Sequence, residues 1–79
     1  MNTAATIASE AASRVGENIR RRRLDLKLSQ AAVAQRVAVP MAQSHLSKYE
    51  TGAVLPTLPV LLALASALEC RIEDLTEGL

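Results

Sequence analysis

The chain has 79 residues and a net charge of +1, with one cysteine, one histidine, one tyrosine and no phenylalanine or tryptophan. That length supports one small domain with a thin, aliphatic core. A lone cysteine and a lone histidine exclude an intrachain disulfide, a cysteine-based zinc site and any histidine-centred metal or catalytic cluster, so no metal and no cofactor is expected.

Ala and Leu dominate, and no stretch alternates apolar and polar residues with period 2, so the expected fold class is all-α. The longest apolar run, Val60 to Leu68, is too short to cross a bilayer, and residues 1–14 lack the basic start and apolar centre of a signal peptide. A cytoplasmic protein is expected. Charge is unevenly spread. Residues 14–36 carry seven basic residues (Arg14, Arg20, Arg21, Arg22, Arg23, Lys27, Arg36) against Glu17 and Asp25, whereas residues 53–79 carry Glu69, Glu73, Asp74 and Glu77 against Arg71. A basic end and an acidic end suit a phosphate-facing surface, and equally a solvated arginine-rich helix.

Residues 1–14 are small and weakly amphipathic, with Ile7 the only strong anchor. They fit either a disordered tail or a helical N-terminal extension of the domain. The main domain is expected over residues 15–76, with 77–79 as a C-terminal tail. A first helix is predicted from about Arg14 to Lys27, with Val15, Ile19 and Leu26 as its core stripe and Leu24 and Leu28 closing its end. The run Arg20–Arg23 covers a full turn, so these four side chains point in different directions.

Ser29 has the position and chemistry of an N-cap for a short second helix, whose buried face is Val33, Ala34 and Val37. Pro40 ends that helix or opens the next. The third helix spans Ala42 to Glu50 and stops at Gly52. Leu46 and Tyr49 point one way, whereas Gln43, Ser44, Ser47 and Lys48 line the opposite face. Amides, hydroxyls and an ammonium group on one face suit base edges in a DNA groove, but a solvated surface helix has the same pattern. Thr57 is expected to cap a fourth helix with Leu58, Leu61, Leu64, Ala65 and Leu68 inward. A short fifth helix, Arg71 to Thr76, places Ile72 and Leu75 inward before Gly78. Five helices with short turns form a compact orthogonal bundle.

Leu28-Ser29-Gln30, Val33-Ala34, Gln43-Ser44-His45-Leu46-Ser47-Lys48-Tyr49-Glu50, Gly52 and Pro56 together resemble the phage-repressor/Cro type of helix-turn-helix domain, also called XRE-like or lambda-repressor-like. Leu61, Leu64 to Leu68 and Ile72 to Leu75 resemble its fourth and fifth helices. The resemblance implies a five-helix, dimeric, sequence-specific DNA-binding protein whose third helix enters the major groove. It puts Gln43, Ser44 and Lys48 in the base-reading positions, with Ala42 and Ser47 beside them and His45 pointing sideways. Gln30 falls where a residue contacts phosphate and braces the first reading residue. Ser29, Arg20, Arg21 and Arg36 are further candidate phosphate contacts. Arg23 and Glu50 match a structural ion pair, and Tyr49 a core position.

Three positions depart from the family pattern. The turn between Val37 and Gln43 is longer than usual, which lengthens the third helix or loosens the turn. Glu69 replaces the glycine that usually ends the fourth helix. The turn Ala53-Val54-Leu55 is apolar where relatives carry basic residues. Val54, Leu55, Pro59 and Val60 lie outside the predicted core stripe and, with Arg71, form a candidate homodimer interface.

The expected function is a transcriptional regulator, a repressor, that binds an inverted-repeat operator in double-stranded DNA as a homodimer. An antitoxin or other protein-interaction module, using residues 1–14 and 53–60 on a toxin or other partner, is the alternative. An enzyme is not expected, because no paired carboxylates, nucleophile constellation or phosphate loop can be assembled.

Overall fold

The computed structural model describes residues 3–79, and every regular element among them is helical. In chain order these are α1 (Thr3–Asp25), α2 (Gln30–Arg36), α3 (Gln43–Thr51), α4 (Leu58–Ala67) and α5 (Ile72–Leu75). The all-α, five-helix expectation holds.

Residues 3–14, open between tail and helix in the sequence, are the first half of α1. Alanine-rich sequence continues a helix readily once the anchored half has nucleated it. The helix ends at Asp25 because Lys27 turns into the left-handed region (φ 59°). There the Lys27 and Leu28 amides return to the carbonyls of Leu24 and Arg23, at 2.9 and 3.1 Å, so the last turn is closed without a glycine.

Ser29 caps α2 as its sequence position implies, its Oγ accepting from the Ala32 amide at 3.0 Å. Between α2 and α3 the long connection neither extends α3 nor hangs loose. Val37 is buried, and Val39 and Met41 pack on the core. Pro40 stands exposed in this turn, outside both helices. Gly52 closes α3 in the left-handed conformation, φ 78°.

The core sits where α1, α2, α3, α4 and α5 converge. Val15, Ile19, Val33, Leu46, Leu64, Leu68 and Leu75 are its fully buried side chains. A close backbone crossing and a buried amide fix α1 within it. At Gly16, an added Cβ would lie 2.4 Å from the Tyr49 carbonyl oxygen and 2.6 Å from that of Glu50, so α3 crosses α1 at backbone contact. Buried Asn18 donates from Nδ2 to the carbonyls of Leu75 (3.0 Å) and Glu77 (2.9 Å), which ties the end of α5 to α1.

Some expectations change. The Leu24 side chain is 50% exposed and does not cover the end of α1. Ala34 is only half-buried. Leu58 is 60% exposed, because α4 is apolar on every side and its sequence period does not mark the inward stripe. Thr57 occupies the cap of α4, but its side chain makes no capping hydrogen bond. Glu69 replaces the usual glycine by adopting φ 56°, and its C-terminal turn is closed by the Cys70 amide on the Ala65 carbonyl at 3.0 Å. The basic and acidic segments are not opposite poles. They fold onto each other, with Arg36 at 3.6 Å from Glu69 and Arg21 at 4.0 Å from Glu77.

Candidate nucleic-acid interface

The outward face of α3 is built from what its inward face commits. Leu46 is buried, Glu50 is buried and Tyr49 is half-buried against the core. At helical spacing this leaves Ser44, Lys48 and Thr51 on the most outward stripe, with Gln43 and Ser47 on one flank and His45 on the other. Gln43, Ser44, His45, Lys48 and Thr51 are exposed, Ser47 is half-exposed, and Ala42 is the exposed N-cap. Among the described residues no hydrogen bond or ion pair engages the side chains of Gln43, Ser44, Ser47 or Lys48, so their donors and acceptors are available to a partner. Thr51, not among the expected reading residues, lies seven residues beyond Ser44, a spacing that could have pointed to it. Its hydroxyl donates to the Lys48 carbonyl at 3.2 Å.

Behind this face, the Arg23 guanidinium grips the Glu50 carboxylate from two nitrogens, Nε to Oε2 at 2.6 Å and Nη2 to Oε1 at 2.9 Å. Its third nitrogen donates to the Leu28 carbonyl at 2.9 Å. One side chain thereby joins the end of α3, the body of α1 and the approach to α2. The hydrogen bond to Glu50 holds the Arg23 pKa above its ordinary value, against the opposing effect of burial. The expected structural pair is present.

Gln30 takes a different partner from the one expected. Its Nε2 donates to Glu50 Oε1 at 3.0 Å, and it does not brace Gln43. A carboxylate already held beside α2 is the stronger acceptor. Ser29 stands at the same end of α2. Arg20 is exposed and has no ion-pair partner among the described residues, whereas Arg21 donates to Asn18 Oδ1 at 2.7 Å and faces Glu77. Arg36 lies at the far end of α2 from Ser29, beside Glu69. These geometries leave Arg20 the free arginine of the expected set.

Arg22 was not singled out by its sequence position within the basic run. Its Nε and Nη2 donate to the carbonyls of Leu68 and Glu69, both at 3.0 Å, which satisfies acceptors at the end of α4. Cys70 sits beside it, half-buried, and burial pushes its thiol pKa up.

The candidate interface residues between copies separate into two groups. Val54, Leu55 and Pro59 are exposed, and so are Leu58 and Leu62, one turn apart on α4. Val60, by contrast, is half-buried against the core. Arg71 is exposed, its Nε 2.9 Å from Glu73 Oε2. No helix is long and apolar enough to cross a membrane, and no group of His, Cys, Asp and Glu among the described residues is arranged to hold a metal ion.

A helix-turn-helix family model, HTH_3, matches residues 19–75. The chain belongs to this family. It is a DNA-binding transcriptional regulator, in a family of regulators rather than enzymes. The fold is similar to that of the P22 c2 repressor solved with a synthetic operator, at 39% identity and TM-score 0.71, covering 81% of this chain and 94% of that one. It is also similar to the restriction-modification controller C.AhdI from Aeromonas hydrophila, at 26% identity and TM-score 0.75 over the same shares of each chain. A third similar structure is PlcR from Bacillus thuringiensis in complex with the peptide PapR7 and DNA. It is 28% identical with TM-score 0.73, over 85% of this chain and 23% of that one. No curated protein sequence matches the chain.

Proposed function

We propose that this protein is a repressor that binds an inverted-repeat operator as a homodimer, with α3 of each copy in the major groove. Residues 15–76 form the DNA-binding unit in this reading. The observation that carries it is the outward face of α3, where Gln43, Ser44 and Lys48 stand exposed and uncommitted on a helix locked from behind by Arg23 and Glu50. A Gln amide can pair with both adenine N6 and N7, a Lys can donate to guanine, and Ala42 can touch a thymine methyl. Ser47 flanks them. Ser29, Gln30 and Arg20 contact phosphates, with Gln30 placed for it by Glu50.

Two copies meet through Val54, Leu55 and Pro59, with Leu58 and Leu62 widening the surface and Val60 and Arg71 at its edge. Residues 53–68 contain no charged side chain, so this surface carries little desolvation cost when covered. Recognition helices about 34 Å apart then read half-sites one turn apart.

Footprinting of the full chain on DNA upstream of its own gene, with salt titration, tests the reading. Two protected half-sites of inverted sequence, with affinity falling steeply as salt rises, are expected. Uniform protection without a preferred site, or none, would overturn it. Recovery of a tight complex with a toxin in place of operator binding would favour the antitoxin reading.

A further inference from the structure

The first half of α1 has no counterpart in the residues matched by the family model, which begins at residue 19. The helix is 23 residues long, and its first buried residue is Ala12. Thr3–Ala11 therefore runs on for about 13 Å, and the molecule measures 39 Å along its long axis against 22 and 20 Å across. Ala4, Ile7 and Ala8 are all exposed on this stretch, Ile7 by 60%.

Ile7 lines an open groove of about 600 Å³ between this helix and residues 78–79, together with Glu10, Ala11, Arg14, Glu17 and Leu79. Leu79 is 68% exposed. The groove thus combines the apolar Ile7, Ala11 and Leu79 with two acids, Glu10 and Glu17, and one base, Arg14. Among the described residues Arg14 has one ion pair, a loose, exposed contact with Glu17 at 4.0 Å.

The arm springs from the edge of the molecule that bears the proposed dimer surface. Gly52 lies against Ser13, with the nearest approach of an added Cβ to Ser13 Cα at 2.9 Å, and the apolar turn Ala53–Pro56 follows Gly52 directly.

We propose that residues 3–14 are a dimerisation arm that packs antiparallel on the same segment of a second copy. This rests on the homodimer reading and deepens it. About a two-fold axis near Ala11, the Ile7 of each copy enters the partner's groove, against the apolar stem of the partner's Arg14. Glu10 of each copy then comes within reach of that guanidinium. An isologous contact of this kind closes on itself, so the arms add area to a dimer without building a filament. Charge pairing at the rim fixes the antiparallel direction.

The test is sedimentation equilibrium on the full chain and its variants, with circular dichroism and binding of a single half-site as controls for folding. Ile7→Asp is expected to weaken dimerisation about tenfold or more while leaving half-site binding intact. Glu10→Arg and Arg14→Glu are each expected to weaken it, and the double exchange to restore it. A wild-type dimer that Ile7→Asp leaves unchanged overturns the arm alone. Losses that simply add in the double exchange overturn the pairing of Glu10 with Arg14. A wild-type chain that stays monomeric at high concentration overturns the homodimer reading itself, and the arm with it.

Discussion

Arg23 and Glu50 form a two-nitrogen ion pair, at 2.6 and 2.9 Å, on the hidden side of the helix whose other side faces outward. Breaking it by Arg23→Ala strands a buried carboxylate with only Gln30 as a donor. The expected loss is about 3–5 kcal/mol of stability, measured by urea unfolding. Because Glu50 holds the Arg23 pKa above its ordinary value, the stability contributed through Arg23 is complete below the ordinary arginine range. It is lost only as pH rises through the still higher folded value. No alkaline fall in stability from this group is therefore expected between about pH 7 and about pH 10.

Gly16→Ala sets two effects against each other. Alanine gains about 1 kcal/mol in helix propensity. The added Cβ, however, would meet backbone oxygens of Tyr49 and Glu50 at 2.4 and 2.6 Å, which no rotamer can relieve. The clash dominates, and a net loss of about 1–3 kcal/mol is expected by thermal or urea unfolding. A stabilised variant would mean that α1 and α3 do not cross so closely.

Glu69→Gly runs the other way. Glu69 has φ 56°, where a non-glycine residue is strained by about 1–2 kcal/mol. Glycine gives back part of that gain through unfolded-state entropy. The lost contact with Arg36 is exposed and contributes little. A gain of roughly 0.5–1 kcal/mol is expected by urea unfolding.

The Cys70 thiol, whose pKa burial raises, is expected to react more slowly with a thiol reagent in the folded protein than in urea at the same neutral pH. The sign for stability follows: its contribution is intact below the ordinary thiol range and falls as pH rises through the folded value. Equal rates in folded and unfolded chains would contradict the burial.

Short-range chemistry was legible in the sequence. Ser29 as a cap, Gly52 as a stop, the inward pair Val15 and Ile19, and the polar face of α3 all follow from rules that act within one or two turns. What was hidden depends on contacts between distant segments. Asn18 and Arg22 look like ordinary members of a polar, arginine-rich helix, and only the packing of α5 and the end of α4 makes them clamps. Gly16 has no local turn to announce it. Leu58 was misplaced because α4 is apolar all round, so period alone does not choose the buried side. The family resemblance supplied the pairing of Arg23 with Glu50, which no spacing rule encodes, yet it directed the Gln30 brace to Gln43, whereas the amide goes to that carboxylate.

Base reading by the outward face of α3 is tested most directly by the affinity of Gln43→Ala and Lys48→Ala for an operator selected from random duplexes, beside scrambled DNA. Each variant is expected to lose about 1–3 kcal/mol on the operator, to relax preference at single positions and to keep its affinity for scrambled DNA. Arg20→Ala is the control, expected to weaken both duplexes alike and flatten the salt dependence. Equal losses on both duplexes for Gln43→Ala and Lys48→Ala, or no loss on either, would contradict base reading by this face.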